Sequence, residues 1–93
     1  MSRYDLQTAA TLLGTGRTTL CQQLRERHIL DDKNLPARAH VAAGRFTVEL
    51  KAFEHAGLGQ AKPYGKTLVT DNGLLWLAAT LNVRLHREAA NDD

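Results

Sequence analysis

Leu6, Ala9, Ala10 and Leu13 recur at i, i+3, i+4 and i+7, the apolar stripe of an amphipathic helix. Asp5 stands where an N-cap or first-turn acid belongs, and Gly14 suits the left-handed position that closes a helix. A second helix is predicted after Gly14-Thr15-Gly16, with Thr15 as its cap and Leu20 and Leu24 turned inward. Arg25, Arg27 and His28 fall near its C-terminal end. At about 100° per residue, inward leucines leave Thr18, Cys21, Gln22 and Arg25 pointing outward, with Arg17 and Thr19 flanking the helix start.

Beyond Ile29 and Leu30 the pattern changes. Asp31-Asp32-Lys33-Asn34-Leu35-Pro36 is turn chemistry, and Pro36 stops any helix. His40 to Val48 reads as a β-hairpin or short strand pair turning at Ala43-Gly44, and Phe46, Val48 and Leu50 alternate like a strand with one buried face. Ala52 to Ala61 is ambiguous, with glycines 57 and 59 making it loop-like, and Lys66 to Thr70 is a second strand candidate. Thr70-Asp71-Asn72-Gly73 opens a last helix carrying Leu74, Leu77, Ala78 and Leu81 on one face and fraying between Asn82 and Glu88. There is no internal repeat and no linker. The expectation is one small α+β domain over residues 1–88, followed by a flexible acidic tail at 89–93.

Composition narrows the function. With 93 residues the chain holds one domain, and 43% hydrophobic against 24% charged residues argues for a folded soluble protein. Aromatics are only 5%, so the core is built from Leu, Ala and Val, and a stacked-base platform for RNA is disfavoured. The single Cys21 excludes an intramolecular disulfide or thiolate zinc cluster and fits a reducing cytosol. The longest apolar run, Leu74 to Ala79, is far short of the roughly 20 residues of a membrane span. The first residues lack the apolar run of a signal peptide, so a cytoplasmic location is expected.

Enzyme chemistry finds no support. Histidines 28, 40, 55 and 86 lack the spacing of metal ligands, Cys21 has no base beside it in sequence, and Asp31-Asp32 reads as turn acids. Gly59 to Thr67 places five residues where a phosphate-binding P-loop has four. No cofactor, metal or small-molecule substrate is expected. Net charge is only +2, yet Lys33, Arg38, Arg45, Lys51, Lys62 and Lys66 face just two acids, Glu49 and Glu54, across that stretch. A local basic face can steer an anionic polymer.

Two helices joined by a glycine turn are the signature of a helix-turn-helix, whose second helix enters the major groove of DNA. Arg17, Thr18, Thr19, Gln22 and Arg25 are the base-reading candidates, since Gln pairs with adenine, Arg with guanine and Thr with a thymine methyl or a phosphate. A following hairpin makes the domain a winged helix-turn-helix: two N-terminal helices, a short β-hairpin wing and a C-terminal helix. Arg38, His40 and Arg45 sit on the first candidate hairpin, and Lys62, Tyr64 and Lys66 on the approach to the second strand. Either set could form the wing and touch phosphate, and the sequence does not choose. Trp76, between Leu75 and Leu77, completes a thin core or, with Leu85, anchors a homodimer interface.

Taken together, Tyr4 to Gly14, Arg17-Thr18-Thr19-Leu20 and Leu24-Arg25-Glu26-Arg27, then Pro36, Gly44, Phe46 and Val69 to Leu74, resemble the C-terminal domain of phage antirepressors, the KilAC family. The resemblance covers roughly residues 4 to 82. It implies a double-stranded DNA-binding domain of a phage or prophage transcriptional regulator. The alternative is a protein-interaction module without DNA binding, either an antirepressor that binds a phage repressor protein or a dimerisation module. In the family this domain follows an N-terminal domain, whereas here the motif starts four residues from Met1, so a stand-alone copy is expected.

Overall fold

The computed structural model describes residues 2–54 and 61–85, with backbone only for 52–54 and 61–63. Its elements run β1 (Arg3–Asp5), α1 (Leu6–Leu12), α2 (Arg17–Glu26), α3 (Arg38–Ala42), β2 (Phe46–Glu54), β3 (Ala61–Thr70) and α4 (Asp71–Leu81). Three antiparallel strands form one sheet in the order β1-β3-β2. The architecture is α+β, as the sequence suggested, and the acidic tail expected at 89–93 lies outside the described residues.

Asp5 caps α1, accepting the Thr8 backbone N–H at 2.7 Å. Gly14, at φ 79°, ends it in a Schellman motif, with Thr15 N–H donating to the Ala10 carbonyl at 2.9 Å and Gly14 N–H to Thr11 at 3.1 Å. Thr15 does not cap α2. Gly16 does, without a side-chain bond, because the Schellman closure adds one residue to the turn and moves the cap along. Leu6, Ala9, Ala10, Leu13, Leu20 and Leu24 are buried as expected, but Cys21 is only 2% exposed and does not face outward. The packed arc of a helix is at least about 100° wide, so Leu20, Cys21 and Leu24 all fall within it.

The expected hairpin over His40 to Val48 is absent. Residues 38–42 form α3, because Ala-rich sequence favours helix and Gly44, at φ 79°, is a left-handed helix end rather than a hairpin turn. Arg45 N–H closes on the His40 carbonyl at 3.0 Å. Arg38 and His40 therefore stand on a helix, and Arg45 precedes β2. The hairpin that does form pairs Phe46 with Val69 at one end and Glu54 with Ala61 at the other, so β2 continues into the stretch that looked loop-like. β1 has too few residues to show a period in the sequence; it pairs Arg3 with Thr70 and Asp5 with Leu68.

The sheet joins the helices at one tight junction. Thr70 Oγ1 accepts the Gly73 N–H at 2.9 Å, capping α4, and donates to the Gly44 carbonyl at 2.6 Å with the Arg45 carbonyl at 3.1 Å. A Cβ on Gly73 would lie 1.8 Å from the Arg45 carbonyl oxygen, so only glycine admits this approach. Asp71 takes the Tyr4 hydroxyl at 2.7 Å and the Ser2 N–H at 3.1 Å, tying β1 to α4. Phe46, Val69, Leu74 and Leu77 are fully buried in the same cluster as Leu20 and Leu24.

Gly73→Ala is expected to remove about 3 kcal/mol or more of stability, lowering Tm by more than about 10 °C. The opposite sign is expected at His28, which ends α2 at φ 61°. Left-handed backbone costs a non-glycine residue about 1–2 kcal/mol, more than the extra chain entropy of glycine, about 0.5–1 kcal/mol. Thermal denaturation of His28→Gly should show a raised Tm; a lowered one would contradict the strain assigned to this helix end.

Candidate nucleic-acid interface

The start of α2 and the middle of β3 meet across a cleft of about 330 Å³. Asp5, Leu6 and Gln7 line one wall, Arg17 another, Lys33 and Asn34 a third, and residues 64–67 of β3 the last. The cleft exists because β1 is short. It covers β3 only from Leu68 to Thr70, which leaves the edge of β3 beyond Leu68 facing the helices.

The fold thus brings together members of both candidate sets. Arg17, from the base-reading set, shares the cleft with Tyr64 and Lys66, from the wing set. Thr18, Thr19 and Gln22 are exposed on α2 next to it. Lys62 is on β3 opposite Phe53, with its side chain outside the described residues. Tyr64 and Lys66 are within the strand, opposite Lys51 and Glu49, rather than on an approach to it.

Gln7, and Lys33, which the sequence marked only as part of the basic stretch and not as a site candidate, are also cleft residues. The sequence did mark the turn that carries Lys33. Asp31 Oδ1 accepts the N–H groups of Lys33 at 2.8 Å and Leu35 at 2.9 Å. Those bonds, Leu35 first, hold the Asp31 carboxyl below its ordinary pKa.

Charge in the cleft is lopsided. Among the described residues no salt bridge engages Arg17, Lys33 or Lys66; Lys51 and Glu49 form the ion pair nearby, at 3.6 Å. The one carboxylate, Asp5, is occupied by its cap. Its pKa is held down by the Thr8 backbone N–H, then the Thr8 side chain, with Lys66 and Arg17 adding to the effect.

Other candidates are engaged within the protein. Arg25 is half-buried and its Nη1 donates to Asn34 Oδ1 at 2.6 Å. Arg45 lies over the Trp76 ring, 4.4 Å from its centroid, and its Nη1 is 3.1 Å from His40 Nδ1. Arginine has no acceptor, so this contact requires an unprotonated Nδ1. The His40 ring also sits 4.9 Å from Trp76 and meets Phe46 edge-on at 6.3 Å. Arg38 is exposed on α3. Trp76 and Leu85 are partly buried and pack against the core, while Leu75, Ala79 and Val83 are exposed.

Among the described residues no three His, Cys, Asp or Glu side chains converge as metal ligands, and no helix is long and apolar enough to cross a membrane. A family model described as the phage antirepressor protein KilAC domain matches residues 1–83, which takes in every element from β1 to α4. Comparison with curated proteins and with solved structures gives no match.

Burial, and then the neighbouring Arg45 guanidinium, lower the His40 pKa from its ordinary value. The unfolded chain then takes up the proton more readily, so this residue makes stability fall as pH drops through the usual histidine range near 6.5. Tm should decline between about pH 7.5 and about pH 5.5, and His40→Gln should flatten that decline. An unchanged slope in the variant would contradict the packing of His40 against Arg45 and Trp76.

Proposed function

The chain belongs to the phage antirepressor KilAC domain family, and from that premise we propose that it is a winged helix-turn-helix transcriptional regulator that binds double-stranded DNA. The observation that supports the reading is the convergence of Arg17 at the α2 start and Lys66 on β3 on one cleft, neither held in a salt bridge among the described residues. α1 and α2 act as the helix-turn-helix, the Schellman closure at Gly14 setting the turn, and α2 enters the major groove by its N-terminal half. Thr18, Thr19 and Gln22 read base edges from the exposed face, with Arg17 at the rim. The hairpin of β2 and β3 is the wing. Its cations contact the neighbouring backbone, setting register and affinity rather than sequence preference. Such a regulator works in the bacterial cytoplasm during phage or prophage growth.

A second reading has one observation in its favour. Leu75 is 55% exposed and Ala79, one turn further along α4, is exposed too, with Val83, 39% exposed, just past the helix end at Asn82. An apolar stripe of this kind suits a protein partner, either a second copy or a phage repressor. It is compatible with DNA binding through the opposite elements.

Fluorescence anisotropy on labelled mixed-sequence duplex tests the proposal. Affinity should fall steeply with salt, at a slope of about 0.9 per phosphate contact. Gln22→Ala should relax preference among selected sites while leaving mixed-sequence affinity nearly intact. No binding at low salt would overturn the proposal and leave the α4 stripe as the leading functional surface.

A further inference from the structure

We infer that the cleft seats one backbone phosphate of the bound duplex, with Lys33 as a third cation beside Arg17 and Lys66 and with Arg25 positioning the turn that carries Lys33. The inference rests on the DNA-binding reading and assigns a contact which that reading leaves open. The three cations come from three separate elements, α2, the 31–35 turn and β3, and all line one cavity. Like charges repel, so the fold gathers them at a cost that a bound anion would reverse. Asp5, which caps the first turn of α1, offsets part of that charge, but one carboxylate does not balance three cations. A cleft of about 330 Å³ has room for a phosphate with its flanking sugar atoms.

The turn is held from three sides. Asp31 closes it internally through the N–H groups of Lys33 and Leu35. Thr67 Oγ1 on β3 donates to the Asn34 carbonyl at 2.5 Å, and Arg25 on α2 donates to the Asn34 side chain. Leu35 lies over Gly65, where an added Cβ would come within 3.1 Å of its Cδ2. Asn34 itself takes the left-handed conformation, φ 61°, which asparagine tolerates. The Lys33 backbone is thereby fixed one residue from a point bonded to both α2 and β3. The Arg25 contact is directed at this turn, so Arg25 acts on the duplex through Lys33 rather than through a base.

Salt titrations of duplex binding on wild type, Lys33→Ala, Lys66→Ala, the double variant and Arg25→Ala test this, with circular dichroism confirming that each is folded. Each lysine variant should weaken binding to every sequence alike and reduce the salt slope by up to about 0.9. If both grip one phosphate, the double variant should lose at least about threefold less than the product of the single losses. Arg25→Ala should lower affinity without changing base preference, and should add nothing in the Lys33→Ala background. Lys33→Arg should restore binding. Duplex binding that is untouched by Lys33→Ala overturns this inference and leaves the proposed function standing. A wild type that binds no duplex overturns both. In that case inorganic phosphate shifting the amide resonances of Lys33, Gly65 and Lys66 would reassign the cleft to a free phosphate.

Discussion

The close approach of the Arg45 carbonyl to Gly73 is the contact on which the arrangement of sheet and helices depends. That oxygen also accepts the Thr70 N–H at 3.1 Å, and the Thr70 hydroxyl bridges from the Gly44 carbonyl to the α4 cap. Four element ends therefore meet within a few residues: the end of α3, the start of β2, the end of β3 and the start of α4. One register step away Phe46 pairs with Val69, and both are fully buried. With the hairpin base fixed in this way, β3 can only run past the start of α2. The cleft follows from that geometry.

The helices are short, from 5 residues in α3 to 11 in α4, and segments of that length are not stable alone in water. Their ends carry much of the specification. Each of the four closes through a left-handed residue, Gly14, His28, Gly44 or Asn82, with the next N–H bonded back to a carbonyl in the last turn at 2.9–3.0 Å. Only two of the four are glycines. The chain reverses direction sharply each time, which keeps α1 and α2 adjacent and sends Ile29 and Leu30 straight into the core.

Much of this could be read from the sequence where periodicity or cap chemistry is strong. Leu6, Ala9, Ala10 and Leu13 declare one face, Asp5 and Thr70 declare helix starts, and Gly14 declares an end. The Ala43-Gly44 pair misled because a glycine marks both a hairpin turn and a helix end, and only the Thr70 contact from across the sheet decides between them. β1 was invisible because strand pairing with β3, not local pattern, makes it a strand. In the site, Arg17 and Lys66 could be named from sequence, but their meeting could not, since 48 positions of chain separate them. Lys33 shows in sequence only as one more basic residue, because its place in the cleft depends on Asn34 being held by Arg25 and Thr67, a tertiary arrangement that leaves no spacing signal.

The proposed function assigns duplex DNA to one side of a thin scaffold and leaves another side free. Its central claim is where the DNA lies. Amide resonances of the labelled protein, followed by NMR as a short duplex is added, locate that contact directly. The account predicts perturbations concentrated at residues 16–22 on α2, 33–34 in the turn and 64–67 on β3, with α4 largely unmoved. Perturbations centred instead on Leu75, Ala79 and Val83, or none at all, would contradict it.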